Sequence, residues 1–105
     1  MTYGLREDTI KKINSVFVNY TNISKVLLYG SRAKGNYKNG SDIDLCVISK
    51  DMDIKELQKI SLDLDDLLLP YKIDLSVYEK ITNKELKEHI DRIGVVFFEL
   101  EKKTF

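Results

Sequence analysis

The stretch from Ile43 to Tyr78 constrains this chain of 105 residues more than any other. It opens on Ile43–Ser49, a compact apolar run that reads as a strand. It continues at helical period through Ile54, Leu57, Ile60, Leu64 and Leu67 or Leu68, then closes on Lys72–Tyr78 in period-two alternation. Asp53 followed by Glu56 has the spacing of a capping box, and Pro70, the one proline, is predicted to end the helix. Strand, helix and strand in one run fit a right-handed crossover, which makes the two strands parallel neighbours.

The rest of the chain supplies elements to pack against that unit. Ile10, Ile13, Val16, Phe17 and Tyr20 form an apolar stripe that predicts a helix over roughly 6–20. Lys25–Tyr29 reads as a buried strand ending at Gly30. Residues 30–41, rich in Gly, Ser, Asn and basic side chains, read as a loop with room for one helical turn after Ser31. Thr82 and Glu85 form a second capping-box pattern, ahead of Leu86, Ile90 and Ile93, and Gly94 stops that helix. Val95–Leu100 is a last short strand. The Gly30–Ser41 link lets the first two strands pair antiparallel. The expected fold is therefore α/β (α+β), a mixed twisted sheet with helices packed on it, and the length predicts one domain over 1–105.

Composition narrows the class. Apolar residues at 43% and charged residues at 32% indicate a globular protein rather than a disordered one. No uninterrupted apolar run exceeds four residues, against the ~20 of a membrane span, and no apolar leader opens the sequence. A single cysteine, Cys46, forbids an internal disulfide, and the expected compartment is the cytoplasm. The formal net charge is zero, but it is unevenly spread. Residues 1–41 carry seven Lys and Arg against two Asp and Glu, whereas 51–69 carry six acids against two lysines. Neutrality therefore does not exclude a phosphate-bearing ligand. It does speak against a protein that coats long nucleic acid.

The chemistry-bearing residues cluster around the glycine-rich loop. Asp42 and Asp44 lie at i and i+2 at the mouth of a strand, so both project to one face while Ile43 and Leu45 take the other. Two carboxylates that close repel unless a cation lies between them, and hard oxygen donors suit Mg²⁺. Asp74 alternates out of phase with Ile73 and Leu75 on the next parallel strand, where it could join them as a triad able to hold two metals. Each residue alone has an ordinary reading, an Asx-type turn for Asp42 or a solvated strand position for Asp74. Gly30-Ser31 after a buried strand lets backbone approach an anion closely. A Walker-type loop is disfavoured, because Gly35 is followed by Asn36-Tyr37 and Gly40 by Ser41-Asp42, and neither offers the required lysine.

Taken together, Gly30-Ser31-Arg32-Ala33-Lys34-Gly35 and Gly40-Ser41-Asp42-Ile43-Asp44-Leu45 resemble the signature of the DNA polymerase beta-type nucleotidyltransferase superfamily. Length and pattern from Leu5 to Glu99 further resemble the minimal nucleotidyltransferase (MNT) antitoxins, encoded beside a HEPN-domain protein. The resemblance implies a nucleotidyltransferase fold, ATP as substrate, two Mg²⁺ ions, and transfer of AMP to a hydroxyl, a tyrosine of the HEPN toxin. It implies that Gly30 and Ser31 hold the terminal phosphates, with Arg32 and Lys34 at basic positions beside them. It implies that Asp42 and Asp44 bind both metals, and that Asp74 binds the catalytic metal and helps activate the acceptor. Three other functions compete with this one. One is a module that neutralises a partner by binding without turnover; another is a small-molecule nucleotidyltransferase of the aminoglycoside type. A nucleic-acid binder using the basic front is a third, marked by steep salt dependence.

Four other features read as structural. His89 is expected on an exposed helix position, and Cys46 as a buried thiol. Tyr29 and Tyr37 flank the basic loop as ordinary core and surface tyrosines. Asp63, Asp65 and Asp66 are expected on a solvated helix face.

Overall fold

The computed structural model describes residues 2–100. Four strands and four α-helices follow in the order α1 Glu7–Phe17, β1 Lys25–Tyr29, α2 Gly30–Lys34, β2 Ile43–Ile48, α3 Ile54–Asp65, β3 Ile73–Val77, α4 Lys84–Ile93 and β4 Val95–Glu99. The strands form one sheet in the order β3-β2-β1-β4. β2 and β3 are parallel, joined by α3 as the crossover, while β1 pairs antiparallel with both β2 and β4.

Side-chain alternation divides the sheet into two faces. Val26, Leu28, Ile43, Leu45, Val47, Val77 and Phe97 pack into the main core with Ile13, Val16 and Phe17 of α1 and Ile60 and Leu64 of α3. Burial of this many apolar side chains, at about 1.5–3 kcal/mol each, drives the fold. The opposite face is more thinly covered, by a cluster of Tyr29, Cys46 and Ile90 of α4. The Asp44 and Asp74 positions belong to this second face. Among the described residues no helix is long and apolar enough to cross a membrane.

Element boundaries depart from expectation at three places. α1 stops at Phe17 because the N–H groups of Asn19 and Tyr20 turn back to Val16 and Phe17, tightening the last turn. α3 ends at Asp65, well before Pro70. The N–H groups of Leu67 and Leu68 close short bonds to Leu64 and Asp65, and Leu68 takes φ +55°, so the chain has left the helix before the proline. Asn83, not Thr82, caps α4, its Oδ1 accepting from Leu86 N–H at 3.1 Å. Asp53 caps α3 as its spacing predicts, with Oδ1 accepting from Glu56 N–H at 2.8 Å. Gly94 ends α4 through space rather than conformation. Its φ is −58°, but a Cβ there would stand 2.4 Å from the Ile90 carbonyl oxygen. Asp63 is also not on a solvated face, because it is half-buried and accepts a hydrogen bond from the Tyr20 hydroxyl, tying α3 to the end of α1.

Candidate active site

The parallel pairing of β2 with β3 places Asp44 opposite Asp74 in register, with Ile43 opposite Ile73 and Leu45 opposite Leu75. Neighbouring strands lie ~4.8 Å apart, so the two carboxylates leave the same face side by side. Asp42 precedes Asp44 by one alternation and is exposed at the strand mouth. Tyr29 pairs with Asp44 on the other side, so the chain passes from β1 into the Gly30 turn beside that carboxylate.

The electrostatics of the site favour a cation beside these carboxylates. Burial first, then the negative charges of Asp74 and Asp42, push the Asp44 carboxyl above the usual aspartate range, while His89 pulls it back. Tyr29 is pushed up too, by burial first and then by Asp44 and Asp74, against a lowering hydrogen bond from Ser76. Among the described residues no three His, Cys, Asp or Glu side chains are already gathered into a metal cage. That is compatible with Mg²⁺, which commonly binds through one or two carboxylates, waters and substrate phosphates rather than an all-protein shell. The donor set is all oxygen and carries surplus negative charge, so these residues fit the ion.

Gly30 is where backbone and carboxylate meet. Its φ is +74°, and a Cβ built there would come within 2.3 Å of Asp44 Oδ2. Both the left-handed backbone and the contact require glycine. Gly30→Ala should therefore lower stability by about 1–2 kcal/mol through backbone strain alone, read as a lower urea midpoint, and should displace the Asp44 carboxylate. Ser31 follows, half-buried, at the start of the short α2. Lys34 ends that helix in an exposed position.

Arg32 does not face solvent. Its side chain is turned inward and only 2% exposed. Nε–H and Nη2–H donate to the Ser41 carbonyl at 3.2 and 2.8 Å, and Nη1–H donates to the Tyr3 carbonyl at 3.0 Å. The guanidinium also lies over the Tyr37 and Tyr71 rings, 5.4 and 4.9 Å from their centroids. This corrects the expectation of a nucleotide contact: the planar fork is spent on holding the two ends of the glycine-rich loop together. By fixing Ser41 it fixes the residue before Asp42. A cavity of about 270 Å³ lies beside the clamp, lined in part by Arg32, Tyr37, Gly40 and Tyr71, and by none of the three carboxylates.

His89 also departs from expectation. It is half-buried rather than exposed, accepts the Gly30 N–H at Nε2 over 3.1 Å, and meets the Tyr29 ring edge-on at 6.0 Å. Nothing in its local sequence marks this role, because the contact joins residues far apart in the chain. Cys46 behaves as expected. It is fully buried, and burial pushes its thiol up to about 11, which leaves it unreactive.

The sequence model of the family described as polymerase beta nucleotidyltransferase matches residues 11–103. The chain belongs to this family. Within the nucleotidyltransferases, it is 33% identical over 76 residues to a candidate protein adenylyltransferase of Methanocaldococcus jannaschii, covering 70% of this chain and 77% of that one. It is 33% identical over 78 residues to MntA, a candidate protein adenylyltransferase of Haemophilus influenzae, covering 73% of this chain and 68% of that one. Among solved structures it resembles a chain of a toxin–antitoxin crystal structure with AMP-PNP, at a TM-score of 0.70 and 22% identity over 92% of this chain and 76% of the other. It also resembles a chain of the tri-AMPylated HEPN toxin of Shewanella oneidensis in complex with MNT antitoxin, at a TM-score of 0.68 and 18% identity over 91% and 74%. These likenesses show the nucleotidyltransferase fold. They agree with the mixed sheet expected from the sequence.

Proposed function

We propose that this nucleotidyltransferase is a protein adenylyltransferase that moves AMP from ATP onto a hydroxyl of a HEPN-domain partner encoded by a neighbouring gene, and thereby acts as its antitoxin. The observation that carries the reading is the in-register pairing of Asp44 with Asp74 beside the Gly30–Ser31 turn. The two adenylyltransferase relatives and the AMPylated toxin complex support the donor and the partner. Residues 1–105 are read as a single nucleotidyltransferase domain working in the cytoplasm as part of a hetero-oligomer. A partner would supply the acceptor that so small a sheet does not enclose.

In this reading Ser31 and the backbone of the Gly30 turn hold the terminal phosphates of ATP, with Lys34 free to reach them from the end of α2. Asp42, Asp44 and Asp74 would hold two Mg²⁺ ions, which when bound neutralise phosphate charge and align the displacement. Asp74, on the outer strand, faces the acceptor and receives its hydroxyl proton. The acceptor oxygen then forms a bond to the α-phosphorus as the bond to the bridging oxygen breaks, and pyrophosphate leaves with the electron pair.

The test is transfer itself. The purified chain, incubated with the neighbouring HEPN protein, Mg²⁺ and ATP labelled in the adenine or α-phosphate, should place label on a partner tyrosine. Tight complex formation without label under any nucleotide would replace this reading with neutralisation by binding alone.

A further inference from the structure

His89 is the one histidine in the sequence, and the active-site reading above gives it no role. Its surroundings are specific. Gly30 opens α2, so its N–H has no partner within that helix. Instead it donates to Nε2 of His89, on a helix that reaches it from much later in the chain. Nε2 is the acceptor of this bond, so the imidazole meets the turn through a ring nitrogen lone pair. The ring is held by the Tyr29 edge on one side. Its helix is seated by Ile90 in the Tyr29–Cys46 cluster and by the Tyr78 hydroxyl, which donates to Asp91 at 2.7 Å. The imidazole is thus fixed at both the ring and the helix, and Gly30 receives a rigid acceptor.

We infer that His89 is a positioning residue for the phosphate-side turn: by accepting the Gly30 N–H it sets the direction of the Tyr29–Gly30 peptide, the one that leads into the turn. The Gly30 N–H is then committed to the imidazole. Phosphate contacts fall to the Ser31 hydroxyl and the N–H groups after it. The bond also links α4 to the left-handed residue that touches Asp44, so one side chain fixes both the phosphate turn and the edge of the carboxylate site. The kinetic consequence rests on the proposed adenylyl transfer, but the hydrogen bond itself does not.

Side-chain reach supplies the test. Glutamine at this position carries an acceptor oxygen about as far out as Nε2, whereas asparagine stops near Nδ1 and alanine has none. With five glycines in the chain, ¹⁵N-glycine labelling gives a spectrum in which the Gly30 amide can be followed singly. His89→Ala and His89→Asn should move that resonance, and His89→Gln should return it close to its original position. The KM for ATP should rise about fivefold in the Ala and Asn variants, in line with one lost hydrogen bond, with a smaller change in kcat. The Gln variant should stay within about twofold of the parent. A Gly30 resonance unmoved in His89→Ala overturns the inference. So does an equal rise in KM for the Gln and Ala variants, because a merely structural imidazole is not rescued by an acceptor. An unsubstituted chain that transfers no AMP overturns the proposed function instead, and the resonance still decides on His89.

Discussion

Asp44→Asn should abolish AMP transfer and at the same time make the protein harder to unfold. The loss follows from removing the central carboxylate of the three. Metal-assisted stabilisation of a phosphoryl transition state amounts to several kcal/mol, so the rate should fall about a thousandfold or more. The gain follows from the raised Asp44 pKa, which burial causes first and the Asp74 and Asp42 charges second. A carboxyl whose folded pKa lies above its unfolded value binds its proton more tightly in the fold. Its ionised form therefore weakens the fold at neutral pH, and the penalty fades as pH falls through the folded pKa. Asparagine carries no such charge. The thermal midpoint of Asp44→Asn should exceed that of the parent at pH 7, and the two should converge in acid. Mg²⁺ should raise the midpoint of the parent by mass action and leave that of the variant nearly unchanged. Undiminished transfer by Asp44→Asn would remove Asp44 from the chemistry.

Arg32→Ala should be the most destabilising single change near the site, at about 3 kcal/mol. It deletes all three guanidinium bonds to the Ser41 and Tyr3 carbonyls and removes the cation from between two tyrosine rings. Arg32→Lys should rescue little of this, because one ammonium cannot reproduce a planar fork that spans two carbonyls while stacking on aromatic faces. Urea unfolding measures the loss as a lower midpoint at an unchanged slope. AMP transfer should fall with it, because Ser41 leads directly into Asp42. If Arg32 instead bound phosphate, its removal would weaken ATP binding and leave stability near that of the parent.

The contrast between Asp74 and Arg32 shows which parts of the molecule were legible in its sequence. Asp74 could be placed because a strand alternates with a fixed period of two, and a crossover of this length makes its neighbours parallel. Those two rules put Asp74 on the face of Asp44, and the pairing follows them. The directions of the first three strands and the Gly30 turn are readable for the same reason, since each depends on local pattern, whereas the pairing of β4 with β1 is not. Arg32 was misread because its direction is not a local property. The family signature places a basic residue after Ser31, but which way the side chain turns is set by the Tyr3 and Ser41 carbonyls and by Tyr71 on a distant segment. His89 was missed for the same reason. Flanked by Glu88 and Ile90, it carries no mark of the glycine it meets 59 positions away. Helix ends show the rule on a smaller scale. Asp53 has a capping spacing with no neighbouring competitor, whereas Thr82 and Asn83 stand adjacent and only backbone geometry selects the second.

The sheet order has a consequence for how the carboxylates stay together. Asp44 stands on β2, bonded on both sides, while its companion Asp74 stands on β3, which is bonded only to β2. One of the two paired carboxylates is therefore anchored in the interior of the sheet and the other on its rim. Strand ends and edges open more readily than central strands. Opening of β3 alone would separate Asp74 from Asp44 while β1, β2 and β4 remain paired. Whatever braces that rim, whether a bound nucleotide or a docked partner, would hold the two carboxylates together without touching the rest of the fold.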